Sequence, residues 1–215
     1  MKFARMLRRV EKYYSEKIRT HGATAAGVDW NSPESQDLRF EQLLKVCDTS
    51  NPFSLNDYGC GYGALFDYLN AEGFTCHYRG FDISPLMIDQ ACTLHQGLDH
   101  CEFFNAESRL SPTDYTVASG VFNVKMQVSN DEWQTYILHT VGRIAELSTK
   151  GFALNVLSLC SDPERRRPDL YYADPKFWSD YCKSNFSQFV ALLHDYPLYE
   201  FTILVKRQSG ISWQS

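Results

Sequence analysis

The chain has 215 residues, 44% apolar and 22% charged, a balance that excludes a disordered or fibrous protein and fits one domain with a sizeable core. Its formal net charge of -5 argues against a broad nucleic-acid surface, which needs clustered Lys and Arg to release phosphate counterions. The local runs Arg8–Arg9 and Arg165–Arg167 read as solvated surface.

Seven cysteines, odd in number and without a Cys-x-x-Cys pair, suggest no disulfide framework and no metal site; they point to a reducing, cytoplasmic setting. The first nine residues interrupt every apolar run with a charge, unlike a signal peptide. No stretch approaches the roughly 18 apolar residues of a membrane span.

In chain order, an amphipathic N-terminal helix comes first. Ser32-Pro33 then starts a helix, with Phe40, Leu43, Leu44 and Cys47 on one face. Phe53 to Asp57 is a strand that runs into Tyr58-Gly59-Cys60-Gly61-Tyr62-Gly63, followed by a helix over Ala64 to Glu72. Phe74 to Asp82 reads as the second strand, and Ser84-Pro85 opens the next helix. Cys101 to Phe104 is a weaker third strand and Tyr115 to Ser119 a fourth. A capping box, Ser129-x-x-Glu132, starts a helix with the stripe Trp133, Ile137, Val141, Ile144. Phe152 to Leu159 is an apolar fifth strand, and Asp174-Pro175 opens the last helix. Phe189 to Leu193 and Phe201 to Val205, joined by a short turn, form an antiparallel pair, because a parallel one needs a crossover of about a dozen residues. The pattern predicts a three-layer α/β fold, a mostly parallel seven-stranded sheet with an antiparallel C-terminal hairpin.

Glycines after a buried strand let backbone approach a ligand, and the next helix N-terminus offers unpaired N–H groups. Asp82, ending the next strand, can accept both ribose hydroxyls of an adenosine. A nucleotide-type ligand is therefore expected. The competing reading makes the glycines a tight turn and Asp82 a helix cap beside Ser84.

Asn56-Asp57-Tyr58-Gly59-Cys60-Gly61-Tyr62-Gly63 resembles the first motif of the class I, Rossmann-like S-adenosylmethionine-dependent methyltransferases, and Gly80-Phe81-Asp82-Ile83-Ser84-Pro85 resembles their second. The resemblance spans about residues 50 to 205. It implies S-adenosylmethionine as cofactor, residues 51–215 as the cofactor-binding domain and residues 1–50 as a helical cover within one globular unit. Asp57 would neighbour the methionine amino group, and the amides of Gly59, Cys60, Gly61 and Gly63 would underlie the cofactor. Asp82 would hold the ribose, with Ile83, Met87, Asn105, Ala106 and Glu107 around the adenine. Ser119, Phe122 and Asn123 would border the methionine half and the substrate. Ser119 to Phe122 lacks the Asn/Asp-Pro-Pro-Tyr/Phe pattern, which argues against base or glutamine methylation.

Trp30 or Tyr14 could stack near the sulfonium, and Arg39 could pair with the methionine carboxylate. Tyr171 and Tyr172, in the polar segment after the fifth strand, could wall a substrate pocket. Methyl transfer is an in-line displacement at an activated carbon and demands no particular base. His21, His139 and His194 are possible proton acceptors, none assigned a catalytic role. A small-molecule acceptor is expected, with oligomeric state left open.

Two alternatives stand beside this. Gly59-x-Gly61-x-x-Ala64 also fits a loose dinucleotide fingerprint, and Tyr13 with Lys17 and Tyr172 with Lys176 have the Tyr-x-x-x-Lys spacing of a nicotinamide-dependent oxidoreductase. A non-catalytic cofactor-binding subunit is the other.

Overall fold

A computed structural model describes residues 3–207, so positions 1–2 and 208–215 of the two expected segments lie outside the described residues. The chain opens with α1 (Ala4–His21), whose buried face carries Met6, Val10 and Ile18. A 3-10 turn at Ala25–Val28 leads to α2 (Pro33–Leu44). Ser32 caps α2 by accepting from the Ser35 amide at 3.2 Å, and Pro33 costs nothing at a position whose N–H would be unpaired anyway. The same device starts α4 (Pro85–Leu94) behind Ser84 and α6 (Pro175–Asn185) behind Asp174. Ser129 caps α5 (Asn130–Glu146) through the Glu132 amide.

The strands are β1 (Phe53–Tyr58), β2 (Cys76–Phe81), β3 (Cys101–Phe104), β4 (Thr113–Ala118), β5 (Ser148–Leu157), β6 (Phe189–Leu193) and β7 (Glu200–Lys206), with α3 (Ala64–Ala71) between the first two. They form one sheet in the order β3-β2-β1-β4-β5-β7-β6. The first five run parallel, and β7 runs antiparallel to both β5 and β6. The expected hairpin thus enters the sheet through its second strand, leaving β6 at the edge. The chain order turns around between β1 and β4, where the strand ends open a crevice for a ligand.

A core lies on each face. One gathers Leu43, Leu55, Leu65, Phe66 and Tyr78 with α2 and α3; the other gathers Trp133, Ile137, Phe152, Trp178 and Phe201 with α5 and α6. Met6 and Val10 bring α1 into the second core. That space is available because β3 and β4 are joined by an irregular crossover whose one regular element is the 3-10 turn Glu107–Arg109.

Four strand starts differ from the sequence pattern, β4 beginning at Thr113 before the expected Tyr115 and β7 at Glu200 before Phe201. β2 begins at Cys76, because the Phe74 amide is taken by the Leu69 carbonyl at the end of α3. β5 begins earlier, at Ser148, where pairing with Thr113 of β4 holds a polar stretch that periodicity does not reveal.

Candidate functional site

The strand-to-helix turn after β1 is built on left-handed glycines. Gly59, Gly61 and Gly63 have φ of 88°, 55° and 92°, a region costly for any residue with a Cβ. Close packing adds to the demand: a Cβ on Gly59 would meet Val121 Cγ2 at 2.4 Å. The Gly59 and Cys60 amides both donate to the Phe81 carbonyl, tying the turn to the end of β2.

Asp82 stitches this turn to the next one. Its Oδ2 accepts from the Gly61 amide at 3.0 Å and its Oδ1 from the Ser84 amide at 2.8 Å. Ser84, not Asp82, caps α4; Asp82 braces the capping residue and also lies on the cavity wall. Enclosure pushes its carboxyl up to about 6, against the pull of those two amides.

Asp57, on β1, is 2% exposed. Tyr78 of β2 donates to its Oδ2 at 2.6 Å, whereas Oδ1 is buried without a hydrogen-bond partner. Burial is the main reason that its carboxyl is pushed up to about 7, with Tyr78 opposing the shift. Ser119, just past β4, also buries its hydroxyl without a partner. A buried unpaired carboxylate oxygen or hydroxyl costs about 1–3 kcal/mol, so the fold itself leaves both atoms unsatisfied.

These residues open on one cavity of about 440 Å³. Its floor is the glycine turn with Asp57 and Asp82. Ile83 and Met87 of the β2–α4 turn and Glu107 after β3 also line it. Ser119, Gly120 and Val121 close one end beside Trp30 and Val28. The roof is α1, through Leu7, Val10 and Tyr14, with Phe3 just ahead of it, and a flank is α5, through Trp133, Tyr136, His139, Thr140 and Arg143. Arg143 is held by Glu107 at 3.0 Å.

Several residues singled out from sequence sit elsewhere. Arg39 pairs with Glu200 at 2.9 Å and lies 3.9 Å over the Trp30 ring, so its charge is already matched and it is not on the cavity wall. Phe122 is fully buried, and its carbonyl accepts from the Trp133 indole N–H. Asn123 spends its side-chain oxygen on the Leu157 amide. Tyr171 is buried and donates to Gln134; the Tyr172 hydroxyl accepts from the Arg167 amide. Gly63 ends the turn against His95 and Phe103, while Asn105 is exposed and Ala106 leads into the 3-10 turn. His21 and His194 are exposed and off the cavity. Tyr14 of α1 lies on the cavity wall, as the sequence suggests; Leu7 and Val10 beside it and the cavity-facing side of α5 are what sequence reading missed. Trp133, a core residue as its stripe suggests, also lines the cavity, and Tyr136, Thr140 and Arg143 follow at helical spacing.

The Tyr-x-x-x-Lys pairs are also accounted for. Tyr13 and Lys17 both bond Asp29 at 2.6 Å, and Pro175 starts α6 between Tyr172 and Lys176. Neither pair lines the cavity. Among the described residues, no group of three or more His, Cys, Asp or Glu could hold a metal ion, and no helix is long and apolar enough to cross a membrane.

No family model matches the chain. A protein of Mycobacterium tuberculosis named "Putative methyltransferase Rv1506c" is 46% identical over 166 residues, covering 77% of this chain and 100% of the relative. Among solved structures, DhpI in complex with SAH matches with a TM-score of 0.61 at 14% identity, over 94% of this chain and 96% of that one. Magnesium protoporphyrin IX methyltransferase from Synechocystis PCC 6803, with bound SAM, matches with a TM-score of 0.56 at 17% identity, over 81% and 79%. At those identities the two structures speak for the fold, a Rossmann-like methyltransferase sheet. The 46% relative, matched over its whole length, decides the family: this chain belongs to the methyltransferases.

Proposed function

We propose that this protein transfers the methyl group of S-adenosylmethionine to a small-molecule acceptor. The observation that carries the reading is Asp57 Oδ1, a buried, unpartnered carboxylate oxygen at the rim of a glycine turn, with Asp82 across the same cavity. A cationic amino group satisfies the first acid and a ribose diol the second, and S-adenosylmethionine carries both. The methyltransferase relative and the two cofactor-bound structures of the same fold support this choice.

Asp57 and Ser119 would hold the methionine end. Asp82 would take the ribose, and Ile83, Met87 and Glu107 would flank the adenine. When bound, the sulfonium supplies a methyl carbon already activated for displacement. The protein's share is to hold the acceptor in line and keep water away, which the mainly apolar roof of α1 favours. Residues 1–50 act as that cover within a single unit, and no residue is assigned as a general base.

The acidic net charge favours a small acceptor over a nucleic acid. Seven free cysteines fit a cytoplasmic setting. The oxidoreductase alternative loses support from the position of both Tyr–Lys pairs, and a cavity of this size argues against a closed, non-catalytic subunit.

Calorimetric titration with S-adenosylhomocysteine and with NADH tests the reading. Binding of S-adenosylhomocysteine that Asp82→Ala weakens, with no NADH binding, supports it; binding of NADH alone overturns it.

A further inference from the structure

Three residues far apart in the chain meet beneath the wall that closes the Ser119 end of the cavity. Glu200, the first residue of β7, is fully buried. Its Oε2 accepts from Arg39 Nε at 2.9 Å and its Oε1 from the Asn155 amide at 3.1 Å. Asn155, also fully buried, accepts in turn from the Gly120 backbone N–H at 2.7 Å. Arg39 is further held by the Ser35 carbonyl, and its guanidinium lies 3.9 Å over the Trp30 ring.

The two ends of this relay reach two surfaces that touch each other. Trp30 packs so tightly on Gly120 that a Cβ there would fall 2.4 Å from its ring, and both residues line the cavity. Glu200 thus reaches the 119–120 turn through Asn155 and the indole through Arg39, without lining the cavity itself.

Burying a carboxylate and a guanidinium is expensive, and a pair of apolar side chains often serves stability as well or better. A relay that spends this cost and aims both ends at one cavity wall is better explained by placement than by stability. Arg offers what Lys would not, a flat cation that can bond a carboxylate at its edge and stack on an indole with its face.

We propose that Glu200 is a positioning residue for the cofactor: through Arg39 and Asn155 it sets the Trp30 ring and the Ser119–Gly120 turn in the arrangement that accepts the methionine end of S-adenosylmethionine. This rests on the cofactor assignment above.

The test compares wild type with Glu200→Gln and with the double variant Arg39→Met/Glu200→Met. The readouts are calorimetric S-adenosylhomocysteine affinity, thermal stability, and the Trp30 signal in 19F NMR of 5-fluorotryptophan-labelled protein, assigned with Trp30→Phe. Glu200→Gln is expected to move the Trp30 resonance and weaken S-adenosylhomocysteine binding about tenfold, the scale of one lost charge-assisted hydrogen bond. The double variant removes both buried charges, so it is expected to be more stable than Glu200→Gln yet to bind no better. Affinity that returns with stability in the double variant would make the relay a structural staple and overturn the proposal, as would an unmoved Trp30 resonance in Glu200→Gln. Unchanged affinity in both variants, with wild type binding, overturns the relay alone. Failure of wild type to bind S-adenosylhomocysteine overturns the cofactor assignment and the proposal with it.

Discussion

Replacing Asp57 by Asn should strengthen the empty protein and disable it at once. The carboxyl sits at about 7 in the folded chain against an ordinary 3.8, a difference worth about 4 kcal/mol through the linkage of protonation to folding. The amide removes the buried charge and can still accept from Tyr78. Its own N–H group then replaces the unpaired oxygen, which costs about 1–3 kcal/mol, so the net gain at pH 8 is about 1–3 kcal/mol. For a chain of this size that raises Tm by about 2–12 °C. Because the folded value lies above the unfolded one, the stability that the protonated acid allows is complete below about pH 4 and gone once pH passes about 7. The advantage of Asp57→Asn therefore opens across that window and is absent at its acid end. In the same variant, S-adenosylhomocysteine binding should fall by about 10- to 150-fold, the range for a lost hydrogen bond between charged groups. Thermal melts at pH 4.5 and pH 8, with calorimetry at pH 8, check both halves. A variant that melts below wild type at pH 8, or gains equally at both pH values, would refute the strained-carboxylate argument.

Wild-type affinity for S-adenosylhomocysteine should rise with pH through about 6 to 7, since Asp82 and Asp57 must both be ionised to meet a diol and an ammonium; calorimetry between pH 5 and 8 shows this, and a flat profile speaks against it. Gly120→Ala forces a Cβ against the Trp30 ring at a φ of 68°, adding about 1–2 kcal/mol of backbone strain before any clash. It should abolish measurable S-adenosylhomocysteine binding while far-UV circular dichroism stays native. Ser15 and Ser84 share a buried 2.8 Å hydrogen bond that fastens α1 to the start of α4. Ser15→Ala should cost about 1 kcal/mol and speed protease cleavage within α1, measured by mass spectrometry of timed digests; unchanged cleavage would show that the bond does not hold the roof.

What the sequence disclosed was local chemistry. A serine or aspartate followed by proline marks a helix start whatever the surroundings, and Ser32, Ser84 and Asp174 all cap as their neighbours suggest. Alternating glycines after an apolar strand imply a left-handed turn for equally local reasons, and Gly59, Gly61 and Gly63 adopt it. The long-range partners were hidden. Nothing near Arg39 announces Glu200, which lies 161 positions away, and an unpaired arginine seemed available for a carboxylate ligand. Tyr171 and Phe122 carry the side chains of a binding wall, but burial turns both inward. The roof was half legible: an amphipathic helix announces a buried face, but not that part of the face borders a cavity. Likewise the stripe on α5 gives no sign that Tyr136 and Thr140 face a cavity and Ile137 a core.

The placement of α1 also bears on how the chain is made. Phe3, at the start of α1, meets Tyr136 of α5 edge to face at 5.5 Å, and Met6 and Val10 join the core that α5 also lines. A ribosome releases α1 roughly 125 residues before α5, so at cellular elongation rates these contacts wait on the order of ten seconds to form. A chain stalled before α5 would present a sticky helix in search of a surface, the kind of intermediate that holdase chaperones bind.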